Sequence, residues 1–94
     1  IALEKFNTLK TKKPIIIVPN EINLRKFELD SKDGDILCEL VLDKPYTEIS
    51  ELVNLSEQRI RSRVSNMLKK FGLKGREQLA KFTIENNLVE IIEK

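Results

Sequence analysis

A chain of 94 residues, 40% hydrophobic and 34% charged, has the size of one domain that buries about 60–65% of its unfolded surface, too little for a large enzyme with an enclosed cleft. With no His and a single Cys, it cannot assemble a Cys/His zinc site, a Ser-His-Asp triad or an intramolecular disulfide. The formal net charge of +2 hides an uneven distribution: residues 56–76 carry seven Lys/Arg against Glu57 alone, whereas residues 27–55 carry eight acidic groups and two basic ones.

In chain order, the first ten residues place Leu3, Phe6 and Leu9 on one side of a short helix. Pro14 and Pro19 then bracket Ile15-Ile16-Ile17-Val18, a candidate buried strand. A strand needs partners for its backbone groups, and no second convincing strand is legible. The partner is therefore expected from another chain or from the remainder of a longer protein, unless the segment is not a strand. The apolar run is far too short to cross a bilayer, and no signal-peptide pattern opens the chain. The chain begins at Ile1, as a piece of a longer protein would. The starting expectation is a cytoplasmic, non-catalytic module. Asn20 reads either as the cap of a brief helical turn toward Leu24 and Phe27 or as part of a linker.

From Leu29 the apolar period changes to 3.6. Ser31 opens a helix with Ile36, Leu37, Leu40 and Val41 on its inner face, ending near Asp43-Lys44-Pro45. Asp33 and Asp35 stand in its early turns, where the macrodipole favours negative charge. Cys38, beside the inner face, reads as a semi-buried structural thiol rather than a redox switch. A second helix, Thr47 to Val53, presents Ile49, Leu52 and Val53. In the tight turn Asn54-Leu55-Ser56, Leu55 plugs the corner and Ser56 is an N-cap. The next helix, Glu57 to Phe71, has Ile60, Val64, Met67, Leu68 and Phe71 at offsets 0, 4, 7, 8 and 11, and Gly72 suits the left-handed position after it. A last helix, Arg76 to Asn87, turns Leu79, Phe82 and Thr83 inward, and the tail from Leu88 to Ile92 is apolar enough to pack back.

Two helices joined by a three-residue turn, the second long and basic, form a helix-turn-helix. Opposite its apolar face the second helix carries Arg59, Arg61, Ser62, Ser65, Asn66 and Lys69. Such donors fit a major groove, where Arg reads guanine O6/N7 and Asn reads adenine N6/N7. Lys70, Lys74 and Arg76 are better placed for phosphates. An ordinary amphipathic helix with a solvated basic side gives the same pattern, and Arg63 reads equally as a salt-bridge partner of the acidic block.

The residues from Leu29 to about Ala80, without gaps, resemble the DNA-binding domain of the LuxR/NarL/GerE family, the output domain of many bacterial response regulators in two-component systems. The resemblance is carried by Leu29 with Lys32-Asp33 and Asp35, by Ile36-Leu37, Glu48-Ile49, Leu52, Leu55-Ser56 and Ile60-Arg61, and by Asn66, Leu68-Lys69-Lys70-Phe71-Gly72-Leu73 and Arg76 with Gln78-Leu79. It implies an all-α, four-helix (tetrahelical) helix-turn-helix domain over residues 27–94, behind an N-terminal extension or linker over 1–26 that holds the short helix and the candidate strand. It implies sequence-specific binding of double-stranded DNA by a bacterial transcriptional regulator, with the helix at 57–71 in the major groove. Arg61, Ser62 and Ser65 match the family's base-contacting positions, and Arg59, Arg63, Asn66, Lys69 and Lys70 its phosphate-contacting ones. The helix at 76–87 corresponds to the dimer contact, through Glu77, Lys81 and Ile84. Expected partners are double-stranded DNA, a second copy on DNA, and RNA polymerase, with no cofactor, metal or membrane, in the bacterial cytoplasm and at the nucleoid when bound.

Several positions depart from the family pattern. Arg59 and Arg63 stand where Thr and His are usual, which raises non-specific affinity and salt dependence. Pro45 replaces a capping Ser or Thr before the second helix, so Tyr46 or Thr47 is expected to supply the phosphate contact instead. Asp43 stands where Gly is common, and Gly75 where a capping Asn or Ser is. Rival readings are a promoter-binding domain like sigma-factor region 4, which generally lacks the Gly72–Arg76 loop and the helix after it, and a protein-docking module using the basic helix. Catalysis by the Asp33, Asp35 and Glu39 carboxylates is the remote alternative, since that spacing also suits helix N-terminal charge and solvation.

Overall fold

The computed structural model describes residues 15–93; the helix expected over the first ten residues lies outside them. The elements are β1 (Ile15–Pro19), α1 (Glu21–Lys26), α2 (Ser31–Val41), α3 (Tyr46–Val53), α4 (Glu57–Phe71), α5 (Arg76–Glu85) and β2 (Val89–Glu93). This is an all-α helix-turn-helix fold with one small antiparallel sheet joining the two ends of the described chain.

The sheet corrects one expectation. The strand at 15–19 finds its partner inside the chain, pairing Ile17 with Ile91 and Pro19 with Val89. The Asn20 N–H extends the ladder by donating to the Leu88 carbonyl at 2.9 Å. What makes this pairing available is the end of α5. Asn87 adopts the left-handed conformation at φ 54° and turns the chain out of the helix, so α5 stops at Glu85, two residues before the expected end. Leu88, completely buried, then anchors the start of β2.

The helix limits follow from local chemistry. Asp30 caps α2, accepting the Asp33 N–H at 2.8 Å, while the Asp33 carboxylate accepts the Asp30 N–H at 3.3 Å in a reciprocal capping box. Pro45 precedes α3 without a side-chain cap, and that helix begins at Tyr46, one residue earlier than expected. Asp43 takes the left-handed φ of 59° that glycine would adopt more cheaply.

One core unites the helices: Leu24, Ile36, Leu37, Ile49, Ile60, Met67, Leu79 and Leu88 are all at most 2% exposed. Cys38 is also buried, more fully than the semi-buried position expected. Burial, reinforced by Glu39 and Asp35, pushes its thiol up to about 12, so no thiolate forms at neutral pH. Leu52, expected inward, is 54% exposed. Ile49 and Val53 set the inner stripe of α3, and Leu52 stands about 100° around the helix from Val53. Beneath the helix-turn-helix, Phe71 and Phe82 stack at 4.4 Å between centroids. Phe27 meets both edge-on at 5.7 and 5.6 Å, tying the end of α1 to α4 and α5. Gly34, inside α2, is buried where α1 and β1 cross it: a Cβ there would lie 2.6 Å from Leu24 Cδ1 and 3.0 Å from Pro19 Cβ.

Candidate nucleic-acid interface

The α3–turn–α4 unit is built as its residues require. Asn54 closes α3 in the left-handed conformation (φ 62°) and donates its N–H to the Ser50 carbonyl. The Ser50 hydroxyl in turn donates to the Leu55 carbonyl at 2.6 Å, and Leu55 packs against the core. Ser56 Oγ accepts the Arg59 N–H at 3.2 Å, capping α4. Gly72 ends the helix at φ 68°, where its N–H reaches back to the last-turn carbonyls. With both ends fixed, Ile60, Val64 and Met67 lock the rotation of α4 against the core.

That rotation leaves Arg59, Arg61, Ser62, Ser65, Asn66 and Lys69 exposed on the opposite side. The cations differ in their engagements. Arg59 and Lys69 meet no carboxylate among the described residues. Lys70 donates to the Glu28 carbonyl at 2.9 Å and lies 3.7 Å from the Glu28 carboxylate. Arg61 stays 61% exposed, with Glu57 3.6 Å away, and its guanidinium carbon lies 4.7 Å from the centroid of the Tyr46 ring. Arg76, read from sequence as a phosphate contact, instead donates to the Lys44 carbonyl and places its guanidinium 4.6 Å from the same ring. Thr47 is exposed, whereas Tyr46 is half-buried.

Arg63 has a different place. Its guanidinium bonds Asp30 at 3.0 and 3.1 Å and Asp33 at 3.1 Å, bracing α4 against the capping box of α2. Of the two readings open for it, the structure displays the salt bridge. The Asp30 carboxyl is held below the usual carboxylate range, first by the Asp33 N–H and then by Arg63, and the Arg63 guanidinium is raised by its bond to Asp30. A carboxyl lowered in the folded state contributes stability that is complete above its unfolded value of about 4 and is lost as pH falls through the folded one. Asp30→Asn keeps the helix cap but not the charge. The variant is expected to lose part of the acid destabilisation that wild type shows below about pH 4, read as a shallower fall of the melting temperature between neutral and acid pH; identical pH profiles would refute the pairing.

Two of the three carboxylates considered for catalysis have structural partners: Asp33 serves the capping box and Arg63, and Glu39 lies 2.8 Å from Lys44 Nζ. Among the described residues no cluster of three His, Cys, Asp or Glu could hold a metal ion, and no helix is long and apolar enough to cross a membrane. On α5, Glu77, Lys81 and Ile84 form one exposed stripe, with Ile84 48% accessible. Sequence reasoning missed the shared ring of Tyr46; the signal available was an aromatic where the chain enters α3, with arginines later at 61 and 76.

No family model matches the chain, and no solved structure matches it significantly. It is 32% identical over 62 residues to the uncharacterized transcriptional regulatory protein YhcZ of Bacillus subtilis (strain 168), a match covering 66% of this chain and 29% of that relative. It is 36% identical over 50 residues to the spore germination protein GerE of the same organism, covering 53% of this chain and 68% of GerE. The chain thus spans under a third of the first relative's length and about two thirds of the second's. Neither protein bears the name of an enzyme. With a GerE likeness of that extent laid over a capped helix-turn-helix whose basic side faces solvent, the chain belongs to the LuxR/NarL/GerE family of helix-turn-helix DNA-binding domains.

Proposed function

We propose that the chain binds duplex DNA sequence-specifically, with α4 entering the major groove. The observation that carries this reading is the rotation of α4: its apolar stripe is buried while Arg61, Ser62 and Ser65 stand in solvent. Those three are assigned to base edges, and Arg59, Asn66, Lys69, Lys70 and Thr47 to phosphates. Arg63, expected among the phosphate contacts, is assigned instead to bracing α4. Glu77, Lys81 and Ile84 are assigned to a two-fold contact between copies on DNA, with half-sites about one helical turn apart. In a longer protein the domain serves transcription regulation in the bacterial cytoplasm, under a receiver or sensor domain upstream and acting with RNA polymerase.

The test is selection of bound sequences from a random duplex pool at two salt concentrations. An enriched inverted repeat supports the full reading, a single hexamer removes the dimer, and no enrichment removes DNA as the partner. Against the selected duplex, Arg61→Ala is expected to cost about 1–3 kcal/mol and to relax one base position. Lys69→Ala is expected to weaken all duplexes alike and to lower the slope of log affinity against log salt by about one unit. A sequence-selective loss at Lys69 would contradict its assignment.

A further inference from the structure

Two arginines from different helices lie over one tyrosine ring. Arg61 of α4 and Arg76 of α5 have their guanidinium carbons 4.7 and 4.6 Å from the centroid of Tyr46, the first residue of α3. Arg76 is tethered by its bond to the Lys44 carbonyl, and Tyr46 is half-buried. The ring is therefore held by the fold, while Arg61 remains 61% exposed. Its one carboxylate neighbour among the described residues, Glu57, stands at 3.6 Å, beyond good hydrogen-bonding distance. The ring is thus the main restraint on the Arg61 side chain.

We propose that Tyr46 is a positioning residue for base recognition, holding the Arg61 guanidinium by its π face in the orientation that reads the groove. The inference rests on the assignment of Arg61 to a base. A guanidinium attracted to a ring uses its face, which leaves the N–H groups on its edge free for two coplanar hydrogen bonds to guanine O6 and N7. An arginine on a bare helix surface must give up its rotamer freedom when it binds. One already held against a ring has given up much of it in the free protein. Arg76 gives the arrangement its rigidity, fastening the ring from α5 so that the first residue of α3 and the second turn of α4 keep one spacing.

The experiment uses the whole chain and the duplex selected for the wild type, together with single-base-pair variants of that duplex. Arg61→Ala first identifies the base pair that Arg61 reads. Tyr46→Leu is then expected to reduce discrimination at that base pair by about two- to fivefold, the range of an exposed cation–π contact. Preferences elsewhere and the salt slope stay unchanged, and Tyr46→Phe retains wild-type discrimination. Tyr46→Met carries the same expectation as Tyr46→Leu and replaces it if the leucine variant does not fold. In the free protein, NMR should find the Arg61 δ-methylene protons displaced by the ring current in wild type and in Tyr46→Phe, and not in Tyr46→Leu or Tyr46→Met.

Wild-type discrimination in Tyr46→Leu, with Arg61→Ala still impaired, overturns the positioning role and leaves the base-reading role of Arg61 intact. An equal loss for every duplex in both Tyr46→Phe and Tyr46→Leu overturns it in favour of a phosphate contact through the hydroxyl. An Arg61→Ala variant with unaltered base preferences overturns the assignment of Arg61 itself, and the inference with it.

Discussion

Leu88→Ala is expected to lower the free energy of unfolding by about 2–5 kcal/mol, the cost of truncating a fully enclosed leucine. Leu88 has no exposed surface, so removing its branched end leaves a void where α5 gives way to β2. Its backbone is committed on both sides: the N–H donates to the Thr83 carbonyl at 3.0 Å, and its carbonyl accepts from Asn20 at 2.9 Å. Collapse around the void is therefore resisted at two points, which favours the upper part of the range. A domain of this size has about 5–15 kcal/mol in total, so the variant should show a much lower urea midpoint. Amide hydrogen exchange should also accelerate at Ile16–Val18 and Val89–Ile92, because the residue that holds their pairing has lost its anchor. A loss under about 1 kcal/mol, with exchange unchanged, would mean that the sheet is incidental to the fold.

Gly34→Val is expected to cost about 2–3 kcal/mol by overpacking. A glycine inside a helix ordinarily reduces stability by about 1 kcal/mol relative to alanine, so a side chain here should be welcome unless something blocks it. Leu24 Cδ1 at 2.6 Å and Pro19 Cβ at 3.0 Å from the Cβ position block it. Leu24 is 2% exposed and has little room to rotate away, and Pro19 is fixed by its place in the ladder. Gly34→Ala should lose less, since helix propensity offsets part of the clash. The decisive measurement is the double variant Leu24→Ala/Gly34→Val. If the two residues compete for one space, its loss falls clearly below the sum of the single losses; additive losses would place the strain elsewhere.

The limits of α4 were legible because every signal for them is local. Ser56, the spacing from Ile60 to Phe71, and Gly72 define α4 from Glu57 to Phe71, and the structure has the same limits. The sheet was not legible for the opposite reason. Ile17 and Ile91 pair across most of the chain, and Val-Glu-Ile-Ile-Glu does not alternate as a half-buried strand should. Nothing short of the turn at Asn87 reveals that this tail doubles back. Leu52 was misplaced because a short helix offers too few turns to fix which apolar residues form the inner stripe. Within the candidate interface, residue type and spacing located the exposed donors. They did not separate Arg63, spent on Asp30 and Asp33, from Arg59, which meets no carboxylate among the described residues. That distinction depends on how α2 crosses α4, a matter of tertiary geometry. The left-handed turn at Glu28 was hidden for a simpler reason: the residue is not a glycine, so the turn carries the strain of a side chain where the usual signal is missing, whereas Asp43 stands where the family's glycine marks the turn.

The antiparallel register of β1 and β2 also settles how the domain would respond to tension. Ile15 lies opposite Glu93, so a pull that separates these two ends loads the hydrogen bonds of the ladder in sequence, peeling them as a zipper opens, rather than sharing the force across all of them. The sheet is then the mechanical fuse of the domain, yielding at low force while the buried helices and the exposed basic side of α4 are still intact.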